Sequence, residues 1–263
     1  MKYEITNEAH PDNPNLRRIK ALRDFGDVKK GDLGGYIESE KNLSQEGNCW
    51  VSGTARVYGN ARVYEDAWVY GDASVYGNAR VSGTARVYGN AWVYGNAEVY
   101  GNAKVYGNAE VYGDACVYED AEVYEDAEVY GDARVSDNAL VCGDAKVSGD
   151  AWVYGNARVS YNALVCGDAK VSGDAWVFGF AKVSGDAWVY ENAKVYGNAE
   201  VYGVAKVSGD AKVFGFAKVY GGAVLSWNAV VSGDTVVSGD TEEPVSQFPN
   251  EITIGGVVYV KKA

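Results

Sequence analysis

Few residues in this chain could carry out covalent chemistry, and their placement narrows what that chemistry would be. The single histidine, His10, stands in Ala-His-Pro-Asp near the start, where it could act as a general base but is expected to be a solvated surface imidazole. The four cysteines, Cys49, Cys116, Cys142 and Cys166, lack the close paired spacing of a metal site, so free thiols are expected. No nucleophile elbow, phosphate loop or paired-cysteine motif occurs. The expectation is a chain with no catalytic residue, no metal and no cofactor, so recognition is the function left to consider.

The elements that would position such a surface follow from a strict repeat. From Val51 to Val237 an aliphatic residue recurs at every sixth position, 32 times, always Val except for Leu225. Two residues before it stands Ala, unbroken from Ala55 to Ala229 and then replaced by Thr235 and Thr241. Residues two apart share a side of an extended strand, so Ala and Val face one way and the intervening residue and the one after Val face the other. The Gly-Asn, Gly-Asp and Glu-Asp pairs that follow suit corners, through positive φ or local side-chain hydrogen bonds. Each hexad therefore predicts one short strand and one corner. A strand this short buries almost nothing alone, and only stacking of identical units makes a continuous core.

Hexads such as Val57-Tyr58-Gly59-Asn60-Ala61-Arg62 resemble the hexapeptide repeat of left-handed parallel β-helices. In that family three hexads form one triangular coil, with the aliphatic residue inside and the small residue near a corner. The resemblance implies an all-β solenoid of about 10–11 coils and supplies the handedness. With parallel strands about 4.8 Å apart the rod would be roughly 50 Å long. Residues 49–241 are expected to form the helix and residues 1–48 an N-terminal cap, with Ile37, Leu43 and Cys49 continuing the six-residue step of the small position. Residues 242–263 are expected to be a linker followed by a β-hairpin, with Ile252-Thr253-Ile254 and Val257-Val258-Tyr259-Val260 around Gly255-Gly256. The stretch from Gly31 to Glu38 resembles the entry segment of an uncharacterised, non-catalytic, often phage- or prophage-associated branch of these proteins.

Many members of the family are acyltransferases with a catalytic His, a projecting loop and an acyl thioester bound between subunits; others are carbonic anhydrases with several His on a metal. Here the only His lies outside the array, and the unbroken register has no inserted loop. The resemblance therefore implies the fold and not the activity.

Outward residues 18 apart should stack into ladders along the rod. Tyr58, Tyr76, Tyr94, Tyr112 and Tyr130 form the longest, and Tyr70, Tyr88, Tyr106 and Tyr124 a second. Such rows fix strand register, and they also offer stacking and hydroxyl hydrogen bonds to a partner. Trp50 and Trp68 should stack one coil apart, and Trp152, Lys170 and Trp188 should share a column where the cation could sit between two rings. Residues 98–132 hold ten acidic residues against Lys104 alone, a local charge of −9 within a chain of −12. Glu110 and Glu128 should meet on adjacent strands, where like charges destabilise unless something compensates.

This acidity disfavours direct binding to nucleic acid or an anionic membrane, although mimicry of nucleic-acid charge is compatible with it. No run approaches the ~18 apolar residues of a membrane span and the start lacks a signal-peptide core, so a cytoplasmic location is expected. Taken together, the residues predict a rod-like scaffold that recognises a protein or a small ligand through its Tyr-rich, acidic face, and the resemblance of the entry segment implies a phage or host-defence setting. The alternatives are a self-assembling structural element and, third, an acyltransferase.

Overall fold

The computed structural model describes residues 1–239, 251–254 and 257–260. Two-residue strands, from Trp50–Val51 to Val230–Val231, alternate with corners, and each pairs in parallel with the strand 18 residues away, for example Glu110 with Glu128 and Val111 with Val129. Three hexads thus make one coil. The strands stack into three sheets of 14, 11 and 10 strands, parallel throughout the coils, giving a parallel β-helix of about 11 coils. No helix among the described residues is long and apolar enough to cross a membrane.

The interior is one column of Ala and Val. Every Ala and Val at the two inward positions from Ala67 to Val159 is 0% exposed, and full burial of a Val contributes roughly 1.5–3 kcal/mol relative to exposure. Backbone N–H groups bond to the next coil, as in Arg56 to the carbonyl of Ala73 (2.9 Å) and Tyr58 to that of Val75 (3.0 Å). The corners need left-handed backbone. At Gly107 φ is 73°, and a Cβ there would lie 2.8 Å from the nitrogen of Glu125 in the next coil. Glu125 itself adopts φ 62° at the same corner position. Its Oε2 accepts the Gly143 N–H at 2.7 Å, a charge-assisted bond that offsets the conformational penalty.

The first residues close one end of the rod. Strand β1 (Tyr3–His10) pairs antiparallel with β2 (Asn13–Ala21), β2 with β3 (Leu33–Ile37), and β3 joins the 14-stranded sheet in parallel with Arg56–Val57. Two expectations are corrected here. Ile37 pairs with Val57 and Leu43 bridges Val63, so both occupy the aliphatic position and not the small one. Only Cys49, one coil before Ala67, takes the small position. The corner between Leu43 and Val51 consequently holds two extra residues, and the chain start plugs into it. The backbone N–H of Lys2 donates to Oε1 of Gln45 (2.7 Å), while its Nζ donates to the carbonyl of Cys49 (2.9 Å) and lies 3.1 Å from Cys49 Sγ. Burial pulls the Lys2 ammonium below its usual range and pushes the Cys49 thiol up.

Trp50 is paired with Trp68 in register, but its ring does not stack there. It is buried beneath the cap, edge-on to Tyr3 at 6.3 Å and Phe25 at 5.3 Å. At the other end of the chain Glu251–Ile254 and Val257–Val260 pair antiparallel. The expected linker and the Gly255-Gly256 turn lie outside the described residues.

Candidate functional site

Because the interior is uniform, functional differences can reside only on the outside. Two spacings organise that surface. Outward strand residues meet their own kind 18 positions on, and the residue just after the inward Val meets the outward strand residue 16 positions on.

The 18-residue spacing stacks the tyrosines as expected. Tyr58, Tyr76, Tyr94, Tyr112 and Tyr130 lie face to face, with centroids 4.9 to 5.0 Å apart and interplanar angles of 1 to 5°. Tyr70, Tyr88, Tyr106 and Tyr124 do the same on another sheet. All are half-buried. The 16-residue spacing resolves the expected clash of Glu110 and Glu128. Tyr94 Oη donates to Glu110 at 2.9 Å and Tyr112 Oη to Glu128 at 3.1 Å, and Lys146 Nζ completes the row at 2.8 Å from Glu128. Tyr106 Oη and Lys104 Nζ hold Glu122 likewise, at 2.9 and 2.8 Å. Burial, and then the bond to a carboxylate, push the Tyr94, Tyr106 and Tyr112 hydroxyls well above the ordinary tyrosine value. For Glu122 burial works against ionisation, but Lys104 and Tyr106 outweigh it and hold the carboxyl below its ordinary value.

The tryptophans obey the same 16-residue rule with a different partner. Trp152, Trp176 and Trp188 donate Nε1–H to Ser136, Ser160 and Ser172 at 3.2, 3.2 and 3.0 Å. Each ring lies 4.5 Å from the aromatic residue two positions on, Tyr154, Phe178 or Tyr190. Trp92 meets Tyr76 instead, edge-on at 6.1 Å, and is left 43% exposed. Lys170 pairs with Trp152 and Trp188 in register. It sits over neither ring: the cation–ring contacts among the described residues are Lys2 on Phe25, Arg18 on Tyr36 and Lys194 on Trp176. The two indoles instead give their N–H groups to serines of the preceding coil. A shallow groove runs along this column, lined by Asp150, Asp168, Lys170, Asp186, Trp188 and Lys206.

Apart from Trp227, itself 79% exposed, a group of exposed aromatic residues lies where the sequence did not point. At the second corner position the array places Asn or Asp, which link in ladders: Asn60 Nδ2 donates to Asn78 (3.1 Å), Asn78 to Asn96 (2.9 Å) and Asn96 to Asp114 (2.7 Å). Along another edge this position carries Phe180 and Phe216, two coils apart, with Tyr161 beside them, and they are 66%, 61% and 62% exposed. The hexads Val177–Lys182 and Val213–Lys218 are identical, Val-Phe-Gly-Phe-Ala-Lys, and that departure from Asn or Asp is the signal that could have found the edge. The strands on either side carry Arg158, Lys194 and Lys212 on one sheet and Lys182, Glu200 and Lys218 on the other, with Lys218 Nζ 3.8 Å from Glu200, a net basic flank.

Catalytic groups are sparse. The expectation of a solvated His10 is corrected: it is 8% exposed, packed edge-on to Tyr36 at 4.7 Å, and its Nδ1 accepts the Asp12 N–H at 3.1 Å. The β1–β2 turn and the β2–β3 pairing bring these residues together. The four cysteines are free, and among the described residues no three His, Cys, Asp or Glu are grouped to hold a metal ion.

Comparison with known proteins bears on the coils. A family model described as the YdcK beta-solenoid repeat matches residues 55–71, 85–101 and 127–143, each nearly one coil. A protein of Escherichia coli (strain K12) named "Uncharacterized acetyltransferase YdcK" is 43% identical over 49 residues, which is 19% of this chain and 15% of that protein. The matching region therefore spans well under two thirds of that relative's length. Over those segments the chain is similar to a β-solenoid repeat, in agreement with the coils seen here.

Proposed function

We propose that the chain is a non-catalytic binding rod that recognises a protein, with the edge bearing Tyr161, Phe180 and Phe216 as its principal contact. The observation that carries this reading is the exposure of two phenylalanines at positions where Asn or Asp would extend a polar ladder. The phenyls interrupt that ladder and leave apolar surface in solvent, a mark of interaction sites. Large aromatic anchors dominate binding energy at protein interfaces. The flanking Arg158, Lys182, Lys194, Lys212 and Lys218 favour an acidic partner, by steering and by excluding basic competitors. The Tyr-rich acidic half, centred on Tyr94, Tyr112, Glu110 and Glu128, is a second surface of opposite charge, but its hydroxyls and carboxylates are already bound to one another.

The test is retention of partners from a lysate by the tagged chain, beside two variants. Phe180→Asn/Phe216→Asn restores the consensus and should fold; Tyr76→Ser/Tyr94→Ser/Tyr112→Ser strips the acidic half. A partner lost only by the first variant supports the edge, and one lost only by the second moves the site to the tyrosines. If the wild type retains nothing, the binding reading fails.

A second reading, acyl transfer, draws support from the name of the E. coli relative. It would need a general base, and His10 is the one imidazole, enclosed in the cap. Acetyl-CoA turnover by the wild type that is abolished in His10→Ala would establish it, and the lack of any thermal shift with acetyl-CoA would remove it.

A further inference from the structure

The outward strand position holds charged residues, Trp, Ser, Cys or Leu from Trp50 to Lys218, and then Val three times in succession: Val224, Val230 and Val236. These belong to the last described coil, whose strands are the terminal members of the three sheets. Val230 and Val236 are 38% and 53% exposed. Strands that are apolar on both sides belong to sheets covered on both faces, so this coil carries the signature of a covered one. The last strand of the 14-stranded sheet is four residues long where most coil strands have two, Val236–Gly239, paired to Lys218–Gly221.

A second apolar stretch lies a short way along the same chain, Ile-Thr-Ile and Val-Val-Tyr-Val on the two strands of a hairpin. In the antiparallel pair Glu251–Ile254 and Val257–Val260, Ile252 is opposite Tyr259 and Ile254 opposite Val257, register positions that the alternation of a strand assigns to one face. A two-stranded hairpin alone is marginally stable in water and needs a surface to bury that face. Eleven residues separate Gly239 from Glu251, a tether that can span up to ~36 Å when extended, enough to reach either exposed Val. The other end of the rod already shows the arrangement, since the antiparallel β1–β2 pair closes the first coil with Tyr3 and Ile19, both 0% exposed.

We infer that the hairpin of residues 251–260 docks its Ile252, Ile254, Val257 and Tyr259 face on Val230 and Val236 of its own chain and covers the last coil. The inference is independent of the aromatic edge, which its test leaves intact. The docked hairpin occupies the apolar patch and shields the terminal strand edges, which would otherwise template pairing with a second rod.

Amide hydrogen exchange on the full chain tests this. The substitutions Val230→Lys and Val236→Lys place on the last coil the residue its own columns carry one coil earlier, Lys212 and Lys218, so folding should survive. In the wild type the amides of 251–254 and 257–260 are expected to be protected at every protein concentration. The double Lys variant should lose that protection by tenfold or more while strands in mid-rod are unchanged. Ile254→Asp, which alters the hairpin instead, should give the same loss and also expose Val230–Val231. Hairpin amides that exchange at unstructured rates in the wild type would overturn the inference, as would protection indifferent to both changes. Protection that grows with concentration alongside a dimer in light scattering would overturn it too, because the covering hairpin would then come from a second copy.

Discussion

Coils before and after Ala133 share one interior and differ in how their outer surfaces are knit. On the N-terminal side, stacked tyrosines bind the glutamates of the next coil, as in Tyr94 with Glu110, and corner amides on one edge run in a ladder from Asn60 to Asp114. On the C-terminal side, serines receive indole N–H groups from the next coil, as in Ser172 with Trp188, and the corner ladder on one edge gives way to Phe180 and Phe216. The interior is indifferent to these choices, since Val75 and Val183 are equally 0% exposed. Fold and surface are therefore encoded in separate positions of the hexad, and a departure from the outer pattern can be selected for function without a penalty inside.

Four changes would break or sharpen this contrast. A charge in the interior should be equally damaging in both halves: Val75→Asp and Val183→Asp bury an unpaired carboxylate and should each destabilise by more than about 4 kcal/mol, seen as loss of the cooperative melt. A marked inequality would show that the halves differ inside. Alkali should act through the N-terminal half. The fold raises the Tyr94, Tyr106 and Tyr112 values, so it favours their protonated form. The stability they contribute is complete below about pH 10, where unfolded tyrosine ionises, and is lost as pH rises through the higher folded-state values. The melting midpoint of Tyr94→Phe/Tyr106→Phe/Tyr112→Phe should therefore fall less than that of the wild type between about pH 9 and about pH 11; parallel declines would contradict the assignment.

At neutral pH, Tyr112→Phe removes a hydroxyl from a carboxylate and should cost about 1–2 kcal/mol. Tyr196→Phe, between Phe178 and Phe214 at 4.8 and 4.9 Å, should change stability by less than about 0.5 kcal/mol. Chemical denaturation measures both, and equal effects would remove the distinction between the two kinds of ladder. The smallest change exchanges the Trp environments. Tyr76→Ser should let Trp92 settle as Trp188 does and shift its fluorescence to the blue, while Ser172→Tyr should displace Trp188 and shift it to the red. Spectra that do not move would break the 16-residue rule.

The interior was legible because Ala and Val at six-residue spacing admit only one kind of packing, and the tyrosine ladders followed from stacking three hexads per coil. The cap was less legible. Ile37, Leu43 and Cys49 keep a six-residue step in sequence, yet two residues are extra between Leu43 and Val51, and that offset is visible only in the pairing with Val57 and Val63. Trp50 has the same place in its hexad as Trp68 and is distinguished only by Tyr3 and Phe25 folding over it. The exposed edge was missed for a different reason. Phe178 and Phe180 look alike in sequence, but one follows the inward Val and stacks on Tyr196, while the other occupies the second corner position and points to solvent. The serine–indole pairs were present in the sequence as a Ser 16 residues before Trp152, Trp176 and Trp188. They carry no meaning until the lean of one coil toward the next is known.

The 18-residue match of outer columns sets a unit for change in the length of the gene. Loss or duplication of one hexad would leave the Ala and Val column intact, yet every later residue would rotate to the neighbouring sheet relative to the earlier ones, so pairs that span the change, such as Tyr94 with Glu110 for a hexad lost between them, would be separated and each outer column would be broken at that coil. Removal or insertion of three hexads would restore every column. Rods of this design can thus grow or shrink readily by whole coils and poorly by single strands, so descendants should differ in length by multiples of 18 residues.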